Sequence, residues 1–234
     1  EKIIANLAEV KPTLLFSVPR IFNKIYDGLQ KRMAAEGGVK KALFDAAIDN
    51  EDRRRALAAD GRSSGWADFK HNVFDKLVFS KVRERFGGRL KYAFSGGAAI
   101  NKDVATFIDN LGITVYEGYG LTETSPIATA NWPGSRKIGS IGKPIPGIEV
   151  KIDKKVTGDP VNGEIVVYGH NIMKGYHELP EEDAKAFTED GGFRTGDMGR
   201  VDDAGFVYIT GRIKEQYKLE NGKYVVPSPI EEQL

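Results

Sequence analysis

The chain has 234 residues, 41% apolar and 29% charged, which is ordinary for a globular protein and long enough for one large domain or two small ones. Lys and Arg number 34 against 33 Asp and Glu, a formal net charge of +1 that argues against binding nucleic acid by bulk charge. The absence of cysteine excludes disulfides, zinc–thiolate sites and thiol nucleophiles. No apolar run approaches the roughly 18 residues that a bilayer span requires.

Leu14-Leu15-Phe16-Ser17-Val18 is a short apolar run that ends at Pro19, and it predicts a buried strand. Val18, Ile21 or Phe22, Ile25, Leu29 and Met33 recur at helical spacing and predict an amphipathic helix over about 19–35. Residues 36–68 are polar and read as helical pieces around a mobile surface loop. Their Arg53-Arg54-Arg55 run reads as a solvated helix face in preference to a lipid-attracting patch. Phe74, Val78, Val82 and Phe86 mark another helix, stopped by Gly87-Gly88. Leu90, Tyr92 and Phe94 alternate as a strand and run into Ser95-Gly96-Gly97-Ala98. Asn101 and Asp103 open a helix whose stripe is Val104, Phe107, Ile108 and Leu111, with Gly112 as the stop. Ile113-Thr114-Val115-Tyr116 follows as a strand, and the strand–helix–strand order reads as a βαβ unit in a parallel sheet.

The grammar changes after about residue 136. Ile148, Val150 and Ile152 alternate, as do Ile165 with Val167 and Val207 with Ile209. Gly158-Asp159-Pro160 and Asp202-Asp203-Ala204-Gly205 have the make-up of hairpin turns. One short helix begins near Pro180, with Glu181, Glu182 and Asp183 at its positive end. The fold class is therefore α/β: a partly parallel βαβ subdomain followed by a small antiparallel β-barrel or sandwich.

Glycine, at 27 residues, clusters beside polar and aromatic side chains, where a backbone turns sharply or approaches a ligand. The densest cluster is Tyr116-Glu117-Gly118-Tyr119-Gly120-Leu121-Thr122-Glu123-Thr124, placed at the C-terminal end of a strand, where α/β sheets bind ligands. Tyr119 offers a flat face for a base, and Thr122 and Glu123 offer oxygen donors suited to Mg²⁺ and phosphate. On these residues alone, a polar loop closing a βαβ unit is an equal reading. Gly192-Phe193-Arg194-Thr195-Gly196-Asp197 holds a carboxylate between glycines, suited to vicinal hydroxyls, although an Asx-type turn between strands accounts for it alone. Gly211-Arg212-Ile213-Lys214-Glu215 reads either as a surface turn or as a hinge.

Taken in order, these segments resemble the adenylate-forming superfamily of acyl-CoA synthetases, luciferases and peptide-synthetase adenylation domains. Gly118-Tyr119-Gly120-Leu121-Thr122-Glu123 resembles its GYGxTE motif, and Phe193-Arg194-Thr195-Gly196-Asp197 its aromatic-R-T-G-D motif. Gly211-Arg212-Ile213-Lys214-Glu215 resembles its hinge, Ser95-Gly96-Gly97-Ala98 its adenine loop, and Met173-Lys174-Gly175-Tyr176 its MxGY segment. Lys218-Leu219-Glu220-Asn221-Gly222-Lys223-Tyr224-Val225 is most similar to the long-chain fatty acid branch. Gly192 departs from the family, many of whose members carry Trp there, and a looser turn is expected.

The resemblance implies activation of a long-chain fatty acid by ATP and Mg²⁺ to acyl-AMP, then transfer to coenzyme A. Another carboxylate, aryl or amino acid, is the alternative substrate, and a non-catalytic nucleotide-binding fragment is the alternative from a different class. It implies that Glu123 holds Mg²⁺, that Thr122 bonds phosphate, and that Tyr119 stacks on adenine against Gly96, Gly97 and Ala98 between Gly118 and Gly120. It implies that Asp197 takes the ribose hydroxyls with Arg212, that Lys214 is the catalytic pivot, and that Lys218 belongs to the nucleotide-binding set.

The implied organisation is the α/β part of a large domain over 1–135, a β-barrel subdomain over 136–210, a hinge over 211–215, and the start of a C-terminal α+β domain over 216–234. The family's Ser/Thr/Gly-rich phosphate loop has no counterpart here, and its C-terminal catalytic lysine falls beyond residue 234. The chain is accordingly expected to be a fragment, inactive by itself, ending inside a helix at Glu231–Leu234. Glu1-Lys2-Ile3-Ile4 lacks a signal-peptide pattern, so the expected compartment is cytoplasmic, with peripheral membrane contact and oligomeric state left open.

Overall fold

The computed structural model describes residues 2–155, 158–213, 217–218 and 224–225. Backbone packing divides the chain into two compact units, one of residues 1–95 and 102–115, the other of 96–101 and 116–234.

In the first unit, α1 spans Lys2–Val10, β1 Leu14–Ser17 and α2 Pro19–Glu36. Pro19 occupies the first turn of α2, where its missing N–H leaves nothing unsatisfied. The helix buries Phe22, Ile25 and Leu29, the stripe read from their spacing. The polar stretch after it is helix on either side of a loop, as its composition predicts. It forms α3, Gly38–Ala59, a single helix of 22 residues, and only 60–64 separate it from α4, Gly65–Phe74.

The reason is a buried face made of polar as well as apolar groups. Phe44 and Ala47 are buried beside Asn50 and Glu51. Asn50 Nδ2 donates to the Ala67 carbonyl at 3.0 Å, and Glu51 pairs with Arg54 at 2.8 Å and with His71 at 2.7 Å. The arginine run is thus largely used within the unit, since Arg54 also reaches Asp68 at 2.9 Å and Arg55 reaches Asp109 at 2.8 Å.

A π-helical turn, Asp75–Phe79, joins α4 to α5, Ser80–Glu84. β2, Tyr92–Ser95, pairs parallel with β1 in the register Leu14↔Tyr92 to Ser17↔Ser95. Phe16 stacks on Phe94 with ring centroids 5.1 Å apart. α6, Lys102–Asn110, buries Val104, Ala105, Phe107 and Ile108, and Tyr26 of α2 meets Phe107 edge-on at 4.9 Å.

β3, Thr114–Tyr119, carries the chain into the second unit. There its end pairs antiparallel with β4, Thr129–Ala130, which pairs with β5, Lys143–Pro144. β6 (Ile148–Asp153), β7 (Gly163–Gly169), β8 (Phe193–Val201) and β9 (Val207–Arg212) form a four-stranded antiparallel sheet in chain order, which is the grammar expected after residue 136. The core of this unit is Ile148, Ile165, Val167 and Val207 packed with Tyr119, Ala128 and Ile141.

Asp159 accepts the Val161 and Asn162 amides at 2.7 and 2.9 Å, and Asp202 accepts those of Ala204 and Phe206 at 3.1 and 2.9 Å, so both expected turns close on their own aspartates. α7, Pro180–Ala186, starts on Pro180 with three acidic residues in its first turn. β10 (Tyr217–Lys218) pairs antiparallel with β11 (Tyr224–Val225). No helix among the described residues is long and apolar enough to cross a membrane. The helix expected to begin near Glu231 lies outside the described residues.

Candidate functional site

The second unit contains a cavity of about 510 Å³. Gly97, Ala98, Gly118, Tyr119, Gly120, Asp197 and Arg212 all line it, so residues drawn from four separate sequence motifs meet around one space. The glycine-rich segment reaches it because β3 ends at Tyr119 and the chain must pass very close to its own return. A Cβ on Gly120 would stand 1.7 Å from the Pro126 carbonyl oxygen, so only glycine fits.

The centre of the site is Asp197. It lies within β8 rather than on a turn between strands, and it is 4% exposed. Its Oδ2 accepts the Tyr119 hydroxyl at 2.6 Å, and its Oδ1 meets Arg212 Nε at 3.1 Å. Burial, reinforced by the neighbouring Asp197 charge, raises the Tyr119 phenol far above its ordinary range, so it stays protonated and donates. A carboxylate has about four lone-pair positions, so two bonds leave capacity for two more donors from the cavity.

The strand around Asp197 is braced from below. Buried Glu164 accepts the Gly196 N–H at 3.1 Å and an Arg194 N–H at 2.7 Å, while Thr195 donates to the Ile165 carbonyl at 2.7 Å. Gly192 does not loosen this region. Its Cβ position lies 2.5 Å from Tyr168 Cζ and 2.7 Å from Val166 Cγ1, so the Tyr168 ring fills the space.

Thr122 and Glu123 sit on a 3₁₀ turn, Thr122–Thr124, directly after Leu121, which lines the cavity. Neither lines the cavity itself, nor does Gly96. Glu123 Oε1 accepts the Tyr176 hydroxyl at 3.0 Å, and the Glu123 carbonyl accepts the Met173 N–H at 2.9 Å. The MxGY segment therefore touches the GYGxTE segment directly. Arg212 belongs to β9, which runs on through Gly211 and Arg212. Lys214 lies outside the described residues, as does the side chain of Lys218.

Sequence reasoning passed over Ile141, Ile209 and Thr210, which line the cavity without any local signature. It also gave no role to Glu117, a carboxylate 7% exposed that accepts the Ile100 N–H at 3.4 Å. Burial pushes Glu117 up to about 7, against the backbone N–H groups of Ile100 and Gly139 and the Arg136 charge, which pull it down.

Residues 1–177 match the family described as AMP-binding enzymes. Over its full length the chain is 38% identical to the long-chain-fatty-acid–CoA ligase FadD15 of Mycobacterium bovis, of which it covers 37%. It is 36% identical, over 98% of its length, to the peroxisomal long chain acyl-CoA synthetase 7 of Arabidopsis thaliana, of which it covers 33%. The chain thus spans about a third of the length of these relatives. Among solved structures, apo MatB from Rhodopseudomonas palustris superimposes with a TM-score of 0.60 at 27% identity, covering 99% of this chain and 36% of that one. ATP-bound MatB gives a TM-score of 0.57 at 35% identity, over 62% of this chain and 30% of that one.

Proposed function

Because the chain belongs to the family of AMP-binding enzymes, we propose that it is the nucleotide-binding part of an AMP-forming long-chain fatty acid–CoA ligase. The whole enzyme would join a fatty acid carboxylate to the α-phosphate of ATP with loss of pyrophosphate, and then exchange AMP for the thiolate of coenzyme A. The choice of long-chain acid rests on the likeness, at 36–38% identity, to relatives named as long-chain acyl-CoA ligases.

The observation that carries the nucleotide assignment is Asp197: a buried carboxylate oriented by Tyr119 and Arg212 on the wall of a cavity of about 510 Å³. In this reading its two unused acceptor positions take the 2′- and 3′-hydroxyls of ribose. The Tyr119 ring lies against the base, and the loop of Gly97 and Ala98 borders it with small residues that admit a flat heterocycle.

Thr122 and Glu123 lie on the turn that follows Leu121 of the cavity wall, and in this reading they meet the phosphates. Mg²⁺ takes one or two protein carboxylates and completes its shell with water and phosphate. A single Glu123 suits that requirement, and no cluster of three acidic or histidine ligands occurs among the described residues. When bound, Mg²⁺ neutralises charge as one anion attacks another. Glu123 would hold the ion through its carboxylate, one oxygen of which accepts the Tyr176 hydroxyl, and the Thr122 hydroxyl would donate to a phosphate oxygen. Lys214 is assigned the pivot between the two half-reactions, and Lys218 a place in the nucleotide set.

The experiment is ATP–pyrophosphate exchange by the intact protein with a panel of fatty, aryl and amino acids. Exchange that rises with acyl chain length supports the assignment. Exchange driven only by an aryl or amino acid replaces it with a different acid-activating ligase.

A further inference from the structure

We propose that Tyr176 is a positioning residue, whose hydroxyl holds the Glu123 carboxylate in the orientation that meets the divalent cation of a bound metal–nucleotide. This inference rests on the nucleotide reading above.

The segment 171–176 is tied to the 3₁₀ turn and the residues just after it by four hydrogen bonds. Asn171 Nδ2 donates to the carbonyls of Thr124 at 2.9 Å and Ile127 at 2.7 Å, and the Met173 amide donates to the Glu123 carbonyl at 2.9 Å. These three fix backbone. Only the fourth, from Tyr176 to Glu123 Oε1 at 3.0 Å, reaches the carboxylate. The turn would thus keep its shape without the Tyr176 hydroxyl, so that hydroxyl is not needed to join the two segments.

Its effect falls on the side chain of Glu123, whose rotatable bonds would otherwise let the carboxylate sample several directions. A donor on one oxygen fixes the direction of the carboxylate, which remains ionised and keeps its other oxygen as an acceptor. That is the arrangement by which groups outside a metal's own shell orient its ligands.

Tyr176 is itself held from behind. Its N–H donates to Asp183 Oδ1 at 2.8 Å, in the first turn of α7. An ordinary phenol is protonated across neutral pH, so the Tyr176 hydroxyl is a donor there.

The test compares the intact protein with its Tyr176→Phe variant, which keeps the ring and removes one bond. ATP binding is measured by calorimetry in EDTA, and Mn²⁺ binding to the ATP-saturated protein by electron paramagnetic resonance. The expected result is ATP affinity in EDTA unchanged and the Mn²⁺ dissociation constant raised about tenfold, the lower end of the range for removing such a partner. Unchanged Mn²⁺ affinity overturns the inference. So does an equal loss of ATP affinity with and without metal, which would mark the bond as structural only. If the parent protein binds no ATP, the nucleotide reading fails and takes this inference with it. ATP binding with a metal dependence indifferent to Tyr176 defeats this inference alone.

Discussion

Replacing Tyr119 by Phe removes one oxygen from a closely packed place, and the consequence can be worked from the geometry. Tyr119 is 8% exposed and Asp197 4%, and the bond between them is 2.6 Å long. A hydrogen bond to a charged group is worth roughly 1.5–3 kcal/mol. The ring remains, so no cavity opens and that bond is the main loss. Arg212 cannot compensate, because its side chain is 63% exposed and a screened surface pair contributes little. For a chain of this size each kcal/mol moves the thermal midpoint by roughly 2–4 °C, which gives an expected fall of about 3–12 °C. Circular dichroism melts of parent and variant measure it, and ATP titration should show a loss smaller than that of Asp197→Asn. A midpoint within about 1 °C of the parent would refute the claim that Tyr119 holds a buried charge.

Asp197→Asn keeps an acceptor for Tyr119 but no longer offers two charged oxygens, so ATP affinity should fall at least about tenfold with the fold retained; a dichroism spectrum lost along with binding would point to a structural role instead. Glu123→Ala should lower adenylation by about 10²–10³ in the intact protein, read by pyrophosphate exchange. Gly120→Ala drives a Cβ into the Pro126 carbonyl and should destabilise by more than about 3 kcal/mol, seen as loss of soluble folded protein. Glu117 carries a pH prediction. Its carboxyl moves from an ordinary 4.5 up to about 7 on folding, so between those values the folded state binds the proton and the unfolded state does not. Stability from this group therefore falls as pH rises through that window, by up to about 1.4 kcal/mol per unit. Relative to the parent, Glu117→Gln should be more stable at pH 8, and the advantage should vanish near pH 4.5; a difference that does not change with pH would exclude the buried carboxyl as its source.

How far the sequence could be read depended on what each element buries. α2 and α6 bury apolar stripes, so their spacing announced them. Strands β6, β7 and β9 alternate and were equally legible. α3 was legible only as helical pieces, because Asn50, Glu51, Arg54 and Arg55 find polar partners inside the unit (the Ala67 carbonyl, each other in the case of Glu51 and Arg54, and Asp109) and leave no continuous apolar stripe to detect. In the site, the glycine motifs were visible because backbone crowding at Gly120 forbids any other residue. Ile141, Ile209 and Thr210 were invisible, since a wall of a cavity built from ordinary strand residues has no local signature. Tyr176 falls within a recognisable motif, but its bond to Glu123 spans 53 residues and depends on how the loop after β7 returns.

The central claim is that Asp197 receives the ribose hydroxyls of a nucleotide in this cavity. It is tested most directly by comparing ATP with 2′,3′-dideoxy-ATP on the parent and on Asp197→Asn, as a double cycle that isolates the one contact. The parent should prefer ATP by about tenfold or more, and the variant should bind both nucleotides alike. If the variant weakened both nucleotides equally and kept the parent's preference, the ribose would be recognised elsewhere and the assignment of Asp197 would be wrong.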